Sequence, residues 1–270
     1  MAGARSRARV SHLLFVTPPT RRRFDQLKSI RLPPTLKTEE RTLSGRAFNI
    51  LREGIVSGEI PPGSKLDYTA LAARLDMSPM PIREAIRQLE ALGLVEHTPH
   101  RSARVTALSV EDLREVYTAR FAIEARAVWE AALAFDDEHE RRASAALDHT
   151  IEAERTADHA ASWAADAEFH FALYDAAHSH WFVRAITPLW GTSERYRRVY
   201  KSPERDFTDR HHEHRAILDA CVAREPELAA RKLGEHLARS ANRVAAALGG
   251  GELFAEDDLL QLPVPRTLSS

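Results

Sequence analysis

Apolar positions at the start of this 270-residue chain recur in short blocks. Between residues 41 and 58, Leu43, Ala47, Ile50, Leu51 and Ile55 form one stripe, which predicts a helix ended by Ser57-Gly58. Ile60-Pro61-Pro62-Gly63-Ser64 predicts a tight turn. Leu66 opens a short connection, and Thr69 to Leu75 predict a second short helix. After an Asp76-Met77 turn, Ser78 reads as an N-cap with Pro79 at the first helical position. The third helix turns Ile82, Ile86, Leu89 and Leu92 inward, and Gly93 lies just past its end. Leu94-Val95-Glu96-His97 and Ala103-Arg104-Val105-Thr106 predict two strands around a basic loop from Thr98 to Ser102.

From Ser109-Val110-Glu111-Asp112, a capping-box-like start, the pattern is helical nearly throughout to about residue 247. Breaks near Phe135-Asp136-Asp137, Ala157 to Ser162, His178 to His180, Lys201-Ser202-Pro203 and Arg224-Glu225-Pro226 delimit roughly six helices, enough for an antiparallel bundle. The expected fold is mainly α: a winged helix-turn-helix over residues 40–108 and an all-helical antiparallel bundle over 109–248. Residues 1–39, rich in Arg and Pro, read as a disordered basic arm, and residues 249–270, after Gly249-Gly250-Gly251, as a flexible tail.

Charge separates the two halves. Residues 1–108 hold 18 Lys+Arg against 10 Asp+Glu, whereas residues 109–270 hold 20 against 29. Only the front half is suited to meet a polyanion. The single cysteine, Cys221, excludes an intrachain disulfide and fits a reducing compartment. The run Leu13-Leu14-Phe15-Val16 is too short for a signal peptide core or a membrane span, so a cytoplasmic location is expected.

On the third helix Met80, Arg83 and Arg87 recur opposite Ile82, Ile86 and Leu89. Two arginines about one turn apart can enter a major groove and fork onto guanine or phosphate. An isolated helix with two solvated arginines would look the same. The turn before it and the basic hairpin after it, with Arg101 and Arg104, favour the DNA reading.

The front half resembles the head of the GntR family of bacterial regulators. The resemblance is carried by Ile55-Val56-Ser57-Gly58-Glu59-Ile60-Pro61-Pro62-Gly63-Ser64-Lys65-Leu66, by Leu71-Ala72, and by Met77-Ser78-Pro79-Met80-Pro81-Ile82-Arg83-Glu84-Ala85-Ile86-Arg87-Gln88-Leu89. It implies operator contact from Arg83 and from Arg87, and the DNA reading adds Lys65, Ser78, Met80, Arg101 and Arg104 as candidate contacts. Two positions depart from the family pattern: Pro79 stands where an arginine is usual, and Ser102 or a neighbour where the wing usually has glycine.

In the back half, Asp166 and His170 are four apart on a predicted helix and so share a face. His214 and His236 flank the turn at Arg224 to Pro226, and an antiparallel helix pair about that turn would bring them to similar heights. Three imidazoles and a carboxylate make an N/O site for a divalent transition metal, zinc first, with nickel, manganese and iron as alternatives. His211 and His212 compete as ligands on composition alone. This half is similar to the FCD sensor domain of the FadR-like branch of the same family, which assigns the ligand roles to Asp166, His170, His214 and His236. The resemblance includes Tyr117-x-x-Arg120-x-x-x-Glu124, and it implies an acidic effector near Arg120. Where the family often has asparagine after the His170 helix, Ser179 or a flanking histidine stands.

These readings imply a homodimeric transcription regulator, a repressor by expectation. A small carboxylate effector bound at the metal would change how it engages double-stranded operator DNA. Three rivals share the same residues: a metal-dependent hydrolase fused to a DNA-binding head, a regulator of the metal itself, and a metal-free acyl-CoA sensor. No separate general base with a persuasive motif supports the first.

Overall fold

The computed structural model describes residues 42–97, 103–200 and 207–255. Among them the chain forms nine helices and one two-stranded antiparallel sheet. The basic arm and Arg101 lie outside these residues.

In the head, α1 (Leu43–Val56) starts where the Thr42 hydroxyl accepts from Gly45 N–H at 3.1 Å. It buries Ala47, Ile50, Leu51 and Ile55, as their spacing requires, whereas Leu43, expected on the same stripe, is exposed in the first turn. The Asp67 carboxylate caps α2 (Tyr68–Leu75), accepting from Ala70 N–H at 2.9 Å. α3 (Pro79–Ala91) packs Ile82, Ala85, Ile86 and Leu89 into the head core, against α1. Leu92, expected inward, is instead the surface-exposed C-cap residue. Gly93, at φ 70°, reverses the chain so that Leu94 N–H returns to Leu89 O at 3.0 Å. β1 (Val95–Glu96) pairs with β2 (Arg104–Val105), setting Val95 against Val105 and Glu96 against Arg104. The proline turn runs along the other side of β2: Leu66 N–H bonds Ala103 O, and Val105 N–H bonds Ser64 O. The wing base is thereby anchored on two sides.

Behind it lie α4 (Val110–Ala134), α5 (Asp137–Arg155), α6 (His159–Asp175), α7 (His180–Val199), α8 (Phe207–Val222) and α9 (Pro226–Ala247). Their starts follow the local chemistry: Ser109, Asp136 and Asp158 each cap a helix with a side-chain oxygen, and Pro226 opens α9. α4 packs against both α7 and α9, α5 lies on α6, and α8 lies on α9. Phe121, Val128, Phe169, Leu173, Ile217 and Leu237 are among the residues that fill the shared core.

α7 also meets the head. Arg198 Nη1 pairs with Glu53 Oε1 at 2.8 Å, and Arg195 donates to Thr106 O; within the bundle, the Tyr196 hydroxyl donates to Asp112 Oδ2 of α4 at 2.6 Å. The expected loose tail is corrected over residues 251–255. Leu253 is buried, Phe254 lies edge-on to Phe121 at 4.9 Å, and Asn242 Oδ1 accepts from both their backbone N–H groups. Apolar burial and an amide clamp hold this segment on the bundle.

Candidate metal centre and DNA-reading surface

The head exposes Lys65, Ser78, Met80, Arg83 and Arg87. Ser78 holds the N-cap position of α3 but its hydroxyl makes no capping bond. Arg83 stacks on Tyr68 with Cζ 5.1 Å from the ring centroid, which limits how far that arginine can swing. Arg104 is half-buried and donates to Gly63 O at 3.0 Å, so part of its guanidinium already braces the wing.

In the bundle, α6 supplies Asp166 and His170, α8 supplies His214, and α9 supplies His236; all four are buried. One nitrogen from each histidine lies within 4.8 Å of the others. Asp166 stands beside this trio, its Oδ1 3.7 Å from His214 Nε2. The nearest approach is His170 Nε2 to His214 Nε2, at 3.2 Å.

The surrounding hydrogen bonds choose the tautomers. Glu213 Oε2 lies 2.7 Å from His236 Nδ1 and accepts from it, leaving Nε2 with a lone pair. The Tyr174 hydroxyl donates to Glu124 Oε2 at 2.6 Å and so presents its oxygen to His170 Nδ1–H at 3.4 Å. His170 Nε2 therefore also carries a lone pair, and it faces His214 Nε2. Two imidazole nitrogens at that separation need a proton or a cation between them. Asp166 Oδ1 is buried and meets no hydrogen-bond donor. The donor set, the tautomers and this orphaned oxygen all fit a divalent cation.

Burial, with neighbouring cations and imidazoles, pushes His170 and His214 well below the usual histidine range. His236 is lowered as well, chiefly by burial, although the Glu213 contact opposes the shift. Neutral imidazoles are the form a metal requires. Burial would raise Glu213, but its bond to His236 and the nearby Arg243 and Arg239 bring it down overall.

Arg120 is buried, but its guanidinium is committed. Nε and Nη2 grip Glu124 at 2.6 and 3.1 Å, and Nη1 donates to Ser193 Oγ at 3.0 Å. Ser179 sits at the N-terminal end of α7, eleven residues and roughly 16 Å of helix away from Trp190, whose ring is 4.9 Å from that of His170. The structure does not bring Ser179 to the histidines. His211 is drawn off to Glu154 Oε2 at 2.7 Å, and His212 is exposed, so neither joins them.

Sequence reasoning did not single out Arg197, Trp163, Trp190, Tyr174 or the carboxylate of Glu213. Arg197 Nη1 holds Asp166 Oδ2 at 2.8 Å, and its Cζ lies 4.9 Å from the Trp190 ring and 5.2 Å from the Trp163 ring.

The family of bacterial regulatory proteins called gntR matches residues 43–105, and the FCD domain matches residues 115–239. The HTH-type transcriptional regulator BphR of Paraburkholderia xenovorans is 32% identical over 206 residues, which are 74% of this chain and 84% of that protein. The chain belongs to the GntR family. A transcriptional repressor ascribed to a D-xylose utilization operon of Paenarthrobacter nicotinovorans is 31% identical, covering 77% of this GntR-family chain and 92% of the relative. Among solved structures, a GntR transcriptional regulator from Rhodococcus sp. RHA1 is 28% identical with a TM-score of 0.63, over 76% of this chain and 97% of that one. Escherichia coli McbR/YncC shares the fold at 20% identity, with a TM-score of 0.66 over 78% and 99%. The protein is thus a DNA-binding transcription regulator with a GntR head and an FCD domain, and not an enzyme. Among the described residues, no helix is long and apolar enough to cross a membrane.

Proposed function

We propose that this GntR regulator is a cytoplasmic homodimer that represses its target genes, and that a small carboxylate metabolite bound at a metal in the FCD domain controls its affinity for operator DNA. The reading rests on one observation: three buried imidazoles from three helices converge beside a buried carboxylate oxygen that has no donor. Asp166, His170, His214 and His236 would hold the ion, with zinc the first choice and nickel, manganese or iron the alternatives. The bound cation supplies a positive anchor for an organic acid in a domain whose sequence is net acidic.

Operator contacts fall to Lys65, Ser78, Met80, Arg83, Arg87, Arg101 and Arg104. Arg83 and Arg87 project from the exposed side of α3 and suit guanine or phosphate, while Met80 suits an apolar base edge. Three relatives are named as repressors, which supports that direction of control. The two heads of a dimer set the half-site spacing, so an effector that favours one head arrangement changes affinity.

The test is elemental analysis of protein purified without chelator, alongside His214→Ala and Asp166→Asn. One ion per chain is expected in the wild type, with loss in His214→Ala and weakened retention in Asp166→Asn. An unaltered metal-to-protein ratio in both variants would remove these residues from the ligand set.

A further inference from the structure

Arg120 is buried near the histidines and Arg197 is largely covered there, and the two guanidiniums differ in one respect. Arg120 turns its Nε–Nη2 edge onto both oxygens of Glu124, the two-pronged geometry in which a guanidinium best holds a carboxylate. Arg197 has the same edge buried, yet neither its Nε nor its Nη2 meets a hydrogen-bond acceptor. Arg195 and Arg198 each have a buried Nε of this kind, but their Nη2 groups donate to Thr106 O and Glu194 Oε1 respectively. Two buried donors on one edge with nothing to receive them are costly, and native proteins keep few such groups without a reason.

The placement of Arg197 suggests the reason. Its remaining nitrogen, Nη1, is tied to Asp166 Oδ2 at 2.8 Å, which fixes the group beside the proposed ligand set. The indoles of Trp190 and Trp163 stack against it, so the edge is the part of the cation left for recognition. A guanidinium screened from water by indole binds an anion more strongly than one in solvent.

We propose that Arg197 is the anion receptor of the FCD domain, taking the carboxylate of a small organic acid on its Nε–Nη2 edge. The assignment rests on the carboxylate-effector reading above and moves the effector's salt bridge from Arg120, which is occupied by Glu124, to Arg197. It also places the receptor next to the head. Arg198, the following residue, pairs with Glu53 of α1, and Arg195, two residues back, donates to Thr106 O at the end of the wing. An anion drawn onto Arg197 thus acts on the same helical turn that holds the head.

The experiment is calorimetric titration of the full-length, metal-replete protein with acetate, the simplest carboxylate, in a chloride background. Wild type is compared with Arg197→Lys and Arg197→Ala, with metal content and thermal melts measured on each. The wild type is expected to bind acetate with a dissociation constant on the order of 1 mM. Arg197→Lys keeps the charge but loses the two-pronged edge, and should weaken binding by about tenfold; Arg197→Ala should abolish it, with metal content unchanged in both. Acetate binding by Arg197→Lys and Arg197→Ala at wild-type strength would overturn the assignment while leaving the carboxylate reading intact. Failure of the wild type to bind acetate would overturn both. Loss of metal from Arg197→Lys would make the residue a holder of Asp166 and would also overturn the assignment.

Discussion

The buried pair Arg120–Glu124 offers the sharpest test of how the polar core of the FCD domain is held together. Glu124 is 0% exposed and Arg120 2%. The carboxylate accepts from Arg120 at 2.6 and 3.1 Å and from the Tyr174 hydroxyl at 2.6 Å. Burial alone would lower the Arg120 pKa, but Glu124 more than offsets this and holds it above its usual value. Glu124→Gln keeps the shape and removes the charge, leaving a guanidinium buried without its counter-ion. Losing one partner of such a pair costs about 3–5 kcal/mol. Replacing both, as in Arg120→Met with Glu124→Leu, removes the orphaned charge and should recover most of that loss. The assay is urea unfolding followed by tryptophan fluorescence. All four tryptophans lie in the back half of the chain, so the signal reports the FCD domain and not the head. The reasoning fails if Glu124→Gln loses less than about 1 kcal/mol, or if the double variant is no more stable than the single one.

Further expectations follow from the same geometry. Arg83→Ala should cost operator binding about 1–3 kcal/mol in a mobility-shift titration while leaving metal content and melting unchanged; wild-type affinity would remove Arg83 from the DNA contacts. For metal-free protein, His170, His214 and His236 have folded pKa values below their ordinary one, so the unfolded chain binds more protons in that range. Stability should therefore be complete above pH about 6.5 and fall below it, by up to about 1.4 kcal/mol per pH unit for each histidine. A flat profile from pH about 7 to 5 would contradict the neutral, buried state assigned to these rings. Glu53→Gln breaks the ion pair to Arg198, and is expected to reduce the change in operator affinity caused by effector while sparing effector binding itself. An undiminished response would show that this contact does not couple the domains.

Much of the fold was legible because its boundaries are written locally. Ser109, Asp136 and Pro226 announce helix starts in the sequence and do so in the structure. The stripe on α1 and the inward face of α3 follow directly from spacing, apart from Leu43 at the start of α1 and Leu92 at the end of α3, both of which are exposed. α4, α6 and α8 are less cleanly patterned because polar residues take inward positions. Arg120, Glu124, Asp166, His170 and His214 occupy buried positions that an ordinary helix would give to leucine or valine. The candidate ligands are legible in the four-residue step from Asp166 to His170 and in the resemblance. Arg197 was not found, because Arg195-Tyr196-Arg197-Arg198 reads as a solvated basic helix end. Its placement depends on tryptophans from α6 and α7 and on Asp166 across the helix pair, which no local pattern records. The Arg120–Glu124 pair is itself legible, since its members stand four residues apart at ordinary ion-pair spacing. The clamp on Leu253 and Phe254 by Asn242 is likewise a tertiary event.

The central claim is that one carboxylate and three imidazoles share a single divalent ion. X-ray absorption on zinc-loaded protein tests it most directly. A shell of nitrogen and oxygen at about 2.0–2.2 Å with clear imidazole scattering, lost in His214→Ala, is the predicted result. A shell of water oxygens alone, or one that His214→Ala leaves unchanged, would contradict it.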